Sequence, residues 1–204
     1  MKERLNIAIL SGSSRKGSNT IKVAKALKHL LQQNEIVDQI YLIDMVDSDI
    51  PLVGRGEINK EFLTPFQRQL VYSFENSELI LLCLPEYNWI TNPEVINLFH
   101  QLGTKEFFSC FHLKVFATIG VSSGRGGRRP CIELHTLLNK IISFMGAISV
   151  VSPLILESHE TDKEFDEEGN FLNRQNRGIY YEKFINFTDY TLKLSSKWHF
   201  GRNP

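Results

Sequence analysis

Residues 11–20 read SGSSRKGSNT, a run of small hydroxyl side chains, two glycines and two cations between an aliphatic stretch, LNIAIL, and a basic amphipathic one. Such a loop suits an anion, because the first turn of a helix leaves N–H groups unpaired and carries the positive end of its dipole. Gly12 and Gly17 let the backbone approach a guest closely, Ser13, Ser18 and Thr20 offer hydroxyls, and Arg15 offers a charged fork. Ser18 also fits the N-cap position. Spacing excludes two familiar phosphate loops. A Walker A loop needs Lys directly after its second glycine, where this chain has Ser18 and Asn19. The dinucleotide fingerprint G-x-G-x-x-G is not met by Gly12 and Gly17. What remains is a cradle sized for one monoester phosphate, or an ordinary βα turn with polar filler.

Two later stretches could complete a site. PEYNWITNP (85–93) follows a strongly apolar run; Pro85 there would direct the chain outward, and Tyr87 and Trp89 could wall a flat heterocycle. The amides of Glu86, Tyr87 and Asn88 could meet the polar edge of such a ring, and the alternative is a loop whose aromatics cap the core. SSGRGGRRP (122–130) sets three glycines among three arginines. Its amides could reach a ring carbonyl, and Arg125, Arg128 and Arg129 either attract a phosphorylated second substrate or form a solvated basic turn.

The elements that must position these loops can be read from hydrophobic periodicity. Aliphatic runs at 5–10, 37–43, 79–84, 115–121 and 148–152 read as five strands. The third shows no polar alternation and belongs at the centre of a sheet covered on both faces. Helical patterns fill 18–33, 61–76, 94–103, 131–145 and 179–197, so the expectation is a single α/β domain over 1–204 with a doubly wound parallel sheet of order 2-1-3-4-5. In that order the loops after the first and third strands flank the topological switch point, where ligands bind. The polar segment 157–178 reads as a long surface loop that could act as a lid.

Composition narrows the partners. With 23 Lys+Arg against 23 Asp+Glu, no global field draws in nucleic acid or an anionic membrane. No run of eighteen apolar residues occurs, so no membrane span is expected. Cys83, Cys110 and Cys131 form no CxxC pair, which fits a reducing, cytoplasmic setting. Cys131 could have a lowered pKa at a helix start, although an inert thiol is the simpler reading. The six histidines form no HExxH motif, the acidic run Asp162–Glu168 lacks EF-hand spacing, and no G-x-S-x-G elbow exists, so neither a metal site nor a hydrolase triad is expected.

Together, GS-x-R-x-x-S at 12–18, PEYN at 85–88, the glycine-rich turn after 121 and FDEEGN at 165–170 resemble the NADPH-dependent FMN reductase family over nearly the whole chain. The resemblance implies a flavodoxin-like three-layer sandwich, assembled as a homodimer or homotetramer, that binds FMN noncovalently. It further implies reduction by NADPH or NADH and electron delivery to a small-molecule acceptor such as a quinone, azo compound, metal oxyanion or free flavin. Carried over by position, Ser13, Arg15, Ser18, Asn19 and Thr20 hold the FMN phosphate, Pro85, Glu86, Tyr87 and Asn88 border the isoalloxazine, and Ser123 and Gly124 lie near its far edge. No catalytic side chain is implied, since the hydride chemistry is the cofactor's own. After PEYN the family commonly has a small residue and Ser, then a helix with Lys-Asn and Asp; here Trp89, Ile90, Ile96-Asn97 and His100 stand instead. Trp89 would narrow the face on which a second substrate stacks.

Two other readings stay open from the sequence. One is a non-enzymatic FMN-binding electron carrier or flavin-dependent regulator, which nicotinamides would not bleach directly. The other is a phosphate-ester or nucleotide-binding enzyme without flavin, which would be colourless.

Overall fold

The computed structural model describes residues 4–172 and 178–201. Its parallel sheet is built from β1 (Leu5–Ser11), β2 (Val37–Asp44), β3 (Leu79–Tyr87), β5 (Val115–Val121) and β6 (Val150–Val151), in the order β2-β1-β3-β5-β6. This is the expected 2-1-3-4-5 arrangement, with β5 and β6 as its fourth and fifth members. β4 (Ile90–Thr91) is an added antiparallel partner of β3, and β7 (Leu156–Ser158) pairs with β5.

Helices cover both faces. α1 (Asn19–Leu31) and α6 (Ile179–Phe200) pack on one side, and α2 (Pro65–Glu75), α3 (Pro93–Leu102) and α4 (Arg128–Met145) on the other. β3 separates the two apolar layers, and its residues from Leu79 to Leu84 are fully buried, as the unbroken apolar run foretold. Local chemistry sets the helix starts. Ser18 caps α1 by accepting from the Ile21 amide at 3.3 Å. Thr64 and Gln67 form a capping box ahead of Pro65, which begins α2 later than position 61. α4 begins at Arg128 rather than 131, since Pro130 in a first turn removes only an amide that has no intrahelical acceptor.

Three expectations need correction. The 148–152 strand is shorter: β6 pairs only with Val115 and Phe116, and beyond Pro153, which supplies no N–H for the ladder, an unexpected further strand, β7, pairs with Ile119–Val121. Pro85 does not turn the chain outward. It lies within β3 opposite Val121, and the strand continues to Tyr87.

The segment 157–178 is also not a loose loop in its described part. After β7 it forms a short helix, α5 (Thr161–Glu164), and a bridge between Phe165 and Phe171. Both phenylalanines are buried against Phe184, with ring centroids 5.4 Å away in each case. Asp166 closes the intervening turn by accepting from the amides of Glu168 and Asn170. Gly169 (φ 76°) sits on the α1 backbone, where a Cβ would lie 2.6 Å from the Lys22 carbonyl oxygen. Lys22–Glu167 (2.6 Å) and Lys25–Glu168 (3.2 Å) ion pairs tie the turn to the same helix. The remainder of the expected loop, 173–177, lies outside the described residues.

Candidate cofactor site

Because β1, β3 and β5 are adjacent and parallel, the loops that leave their carboxyl ends emerge side by side. Ser11 pairs with Cys83, and Pro85 with Val121. The first loop is drawn close to its neighbours. The Gly12 amide donates to the Cys83 carbonyl at 2.9 Å, and buried Asn92 donates its Nδ2 to the Gly12 carbonyl at 2.8 Å. A Cβ on Gly12 would stand 2.7 Å from the Val95 side chain. Packing against α3 and the Cys83 carbonyl is by itself enough to demand a glycine there.

The loop's side chains divide into two groups. Thr20 is buried, receives a hydrogen bond from Ser11 Oγ at 3.1 Å and shares one with Ser18 Oγ at 2.7 Å, so it braces the cradle from beneath. Ser13 Oγ lies 2.9 Å from the Tyr87 hydroxyl, and the exposed Arg15 lays its guanidinium 4.3 Å above the Tyr87 ring. Asn19 Nδ2 donates to Ser123 Oγ at 3.2 Å. Ser13, Arg15, Asn19, Tyr87 and Ser123 thus come together, from three loops, at one edge. At that edge α1 presents the amides of Asn19 and Thr20, which donate to no partner among the described residues, and its first turn holds no acidic side chain. An anion fits there on charge and on hydrogen-bond supply.

The second loop is a hairpin. Asn88 (φ 50°) and Trp89 (φ 73°) are consecutive left-handed residues between the paired Tyr87 and Ile90, the backbone that a two-residue hairpin turn requires. The indole is 73% exposed, so Trp89 does not cap the core. It lines a cleft of about 520 Å³ with Arg125, Gly126, Arg129 and Ile132. The Glu86 side chain reaches the third loop, where its carboxylate accepts from the Gly127 amide, and it lines the same cleft as Trp89.

In the third loop, Gly124 donates its amide to Ser122 Oγ at 3.1 Å and accepts from the Glu160 amide at 2.8 Å. Arg128 is paired with Glu157 at 2.8 Å, and Arg129 lies 3.6 Å from Glu133. Arg125 forms no close ion pair among the described residues, but its charge is felt by the Glu160 carboxylate.

Sequence reading missed Asn92, Asn97 and Glu94. Asn92 precedes a proline and reads as an N-cap, yet its side chain makes no cap bond and holds the first loop instead. Asn97 accepts from the Val53 amide and donates to the Pro51 carbonyl, fixing the β2–α2 connection. Glu94 accepts from Ser14 Oγ at 3.1 Å. Only the meeting of distant loops reveals these contacts. Cys131 is buried, and that burial pushes its thiol up to about 12, so the helix start does not activate it. Among the described residues no group of His, Cys, Asp or Glu could hold a metal ion, and no helix is long and apolar enough to cross a membrane.

The family model described as NADPH-dependent FMN reductase matches residues 5–161, which spans all three loops. The chain belongs to that family. A probable NADPH:quinone oxidoreductase 2 from Oryza sativa subsp. japonica is 23% identical over 195 residues, covering 95% of this chain and 92% of the relative. Among solved structures, the flavoenzyme NAD(P)H:(acceptor) oxidoreductase FerB of Paracoccus denitrificans aligns over 93% of this chain and 98% of its own, at 20% identity and a TM-score of 0.64. A flavodoxin from the domain Archaea aligns over 93% and 97%, at 13% identity and a TM-score of 0.50. The reductase fold is therefore flavodoxin-like, as its sheet order implies. As a member of this family the protein is an NAD(P)H-dependent flavin oxidoreductase with FMN as its cofactor.

Proposed function

We propose that this reductase seats the FMN phosphate in the 13–20 loop and the isoalloxazine between the 85–89 hairpin and Ser123–Gly124, within a single domain spanning 1–204. The observation that carries this reading is the convergence of three loops through the Ser13–Tyr87 and Asn19–Ser123 hydrogen bonds. The amides of Asn19 and Thr20, the hydroxyls of Ser13 and Ser18 and the Arg15 guanidinium bind the phosphate. Thr20's own hydroxyl acts from beneath, by fixing Ser18. Tyr87 and Trp89 wall the ring, the Pro85–Asn88 backbone borders it, and Ser123 ties its far edge to the phosphate loop. Bound FMN supplies the hydride chemistry; the chain supplies orientation and a partly dry face.

The acceptor we favour is a quinone, the substrate named for the rice relative. Exposed apolar residues of the hairpin, Trp89 and Ile90, support a homodimer or homotetramer. Three buried free cysteines support a reducing, cytoplasmic setting. An absorbance spectrum of the purified protein before and after anaerobic NADPH tests the reading. A yellow protein that bleaches supports it; a yellow protein left unbleached by NADPH and NADH points to an electron carrier, and a colourless one that gains no colour with added FMN overturns it.

A further inference from the structure

We propose that Glu86 is a positioning residue that sets the electron affinity of the flavin, through a carboxylate clamped at the amino end of α4; this rests on the FMN reading above. α4 has no cap of its own. Its N-cap is Gly127 at φ 113°, no side chain of the helix start bonds back, and the first turn holds no acidic residue. The anion comes instead from Glu86, forty-one positions earlier, whose Oε2 accepts the Gly127 N–H.

The glycine-rich turn is shaped around that carboxylate. A Cβ on Gly126 would lie 1.7 Å from Glu86 Oε1, and one on Gly120 would lie 1.6 Å from the Gly127 carbonyl oxygen. Neither position tolerates a side chain while the turn lies on β5 and encloses Glu86. Of the turn's amides, that of Gly127 is thereby engaged and is not open to a ring carbonyl.

Glu86 also stands at the right place to act on the ring. It occupies the penultimate position of β3, directly before the hairpin, and its side chain reaches the turn after β5, so it links the two turns that border the isoalloxazine. A fixed negative charge beside a ring that gains electrons disfavours the reduced form, and low local dielectric lengthens the reach of that effect. The charge keeps the bound flavin a stronger reductant, suited to passing electrons on.

The test is an anaerobic dye-referenced titration of the FMN-loaded wild type, Glu86→Gln and Glu86→Asp, with thermal melts of the flavin-free proteins. Glu86→Gln is expected to move the midpoint potential to a more positive value while melting with the wild type, since the amide oxygen still accepts the Gly127 N–H. Glu86→Asp retains the charge and the wild-type potential. Equal potentials in a yellow wild type and a yellow Glu86→Gln overturn the proposal. So does a positive shift in Glu86→Asp matching that of Glu86→Gln, which would assign the effect to clamp geometry. If Glu86→Gln loads no flavin, Glu86→Asp decides alone, an unchanged potential supporting the proposal and a positive shift overturning it. A wild type that takes up no FMN overturns the FMN reading instead.

Discussion

Asn19 Nδ2 meets Ser123 Oγ at 3.2 Å, joining residues 104 positions apart and closing the loop after β1 onto the turn after β5. The pair is exposed, so its direct contribution to stability is small, about 0.5–1 kcal/mol. Its importance is geometric. Asn19→Ala and Ser123→Ala should each weaken FMN by a few-fold, and the double variant should lose less than the sum. Fluorescence titration of FMN into flavin-free protein measures this cycle, and strict additivity would show that the contact is incidental.

Arg15 divides its interactions between the Tyr87 ring and the loop. If its guanidinium meets the phosphate, Arg15→Ala should weaken FMN by about 1.5–3 kcal/mol. Arg15→Lys should recover only part, because a lysine neither forks nor stacks in the same way. An unchanged dissociation constant for Arg15→Ala would refute the phosphate contact.

Trp89 holds a backbone conformation that costs a non-glycine residue about 1–2 kcal/mol, and its indole is mostly exposed. Trp89→Gly should therefore keep or raise stability, by up to about 1 kcal/mol in urea unfolding. It should also admit bulkier acceptors without loss of FMN. A colourless variant would show that the indole supports the cofactor itself.

His135 and His199 are half-buried, and burial depresses the pKa of each. Below the ordinary histidine pKa of about 6.5 the unfolded chain takes up protons that the folded chain does not. Stability present at neutral pH is thus lost as pH falls towards 5. His135 bonds the Thr118 hydroxyl at 2.8 Å, and His135→Gln keeps a polar partner while removing the titration. The slope of stability between about pH 5 and 7 should flatten in that variant.

All three thiols are buried, and burial raises the pKa of each. Folded protein should not react with a thiol-specific chromogenic disulfide over minutes, and unfolded protein should release three equivalents. A fast-reacting thiol in the folded state would contradict this packing.

The sheet was legible because its central strands, β3 and β5, are almost wholly apolar and its helices carry one apolar stripe. The site was legible in types but not in contacts. Ser13, Arg15 and Asn19 could be picked out from the first loop, yet their partners Tyr87 and Ser123 are joined to them only by the strand order. Glu86 was expected to offer its amide; that its carboxylate also accepts the Gly127 N–H could not be read, because no local pattern connects the two positions. The 157–178 segment misled for a related reason. Its charged residues outnumber Phe165 and Phe171, and average polarity hides two side chains that the aromatic cluster around Phe184 buries.

The seating of Gly169 on α1 makes the two ends of the chain interdependent. The family match stops at residue 161, but the flank of the helix that carries the cradle is roofed by Phe165, Phe171, Phe184 and Phe187 from beyond that point. A fragment trimmed to the matched span would keep every loop and lose the wall behind them. Grafting this cradle onto another scaffold would require bringing the acidic turn along with it.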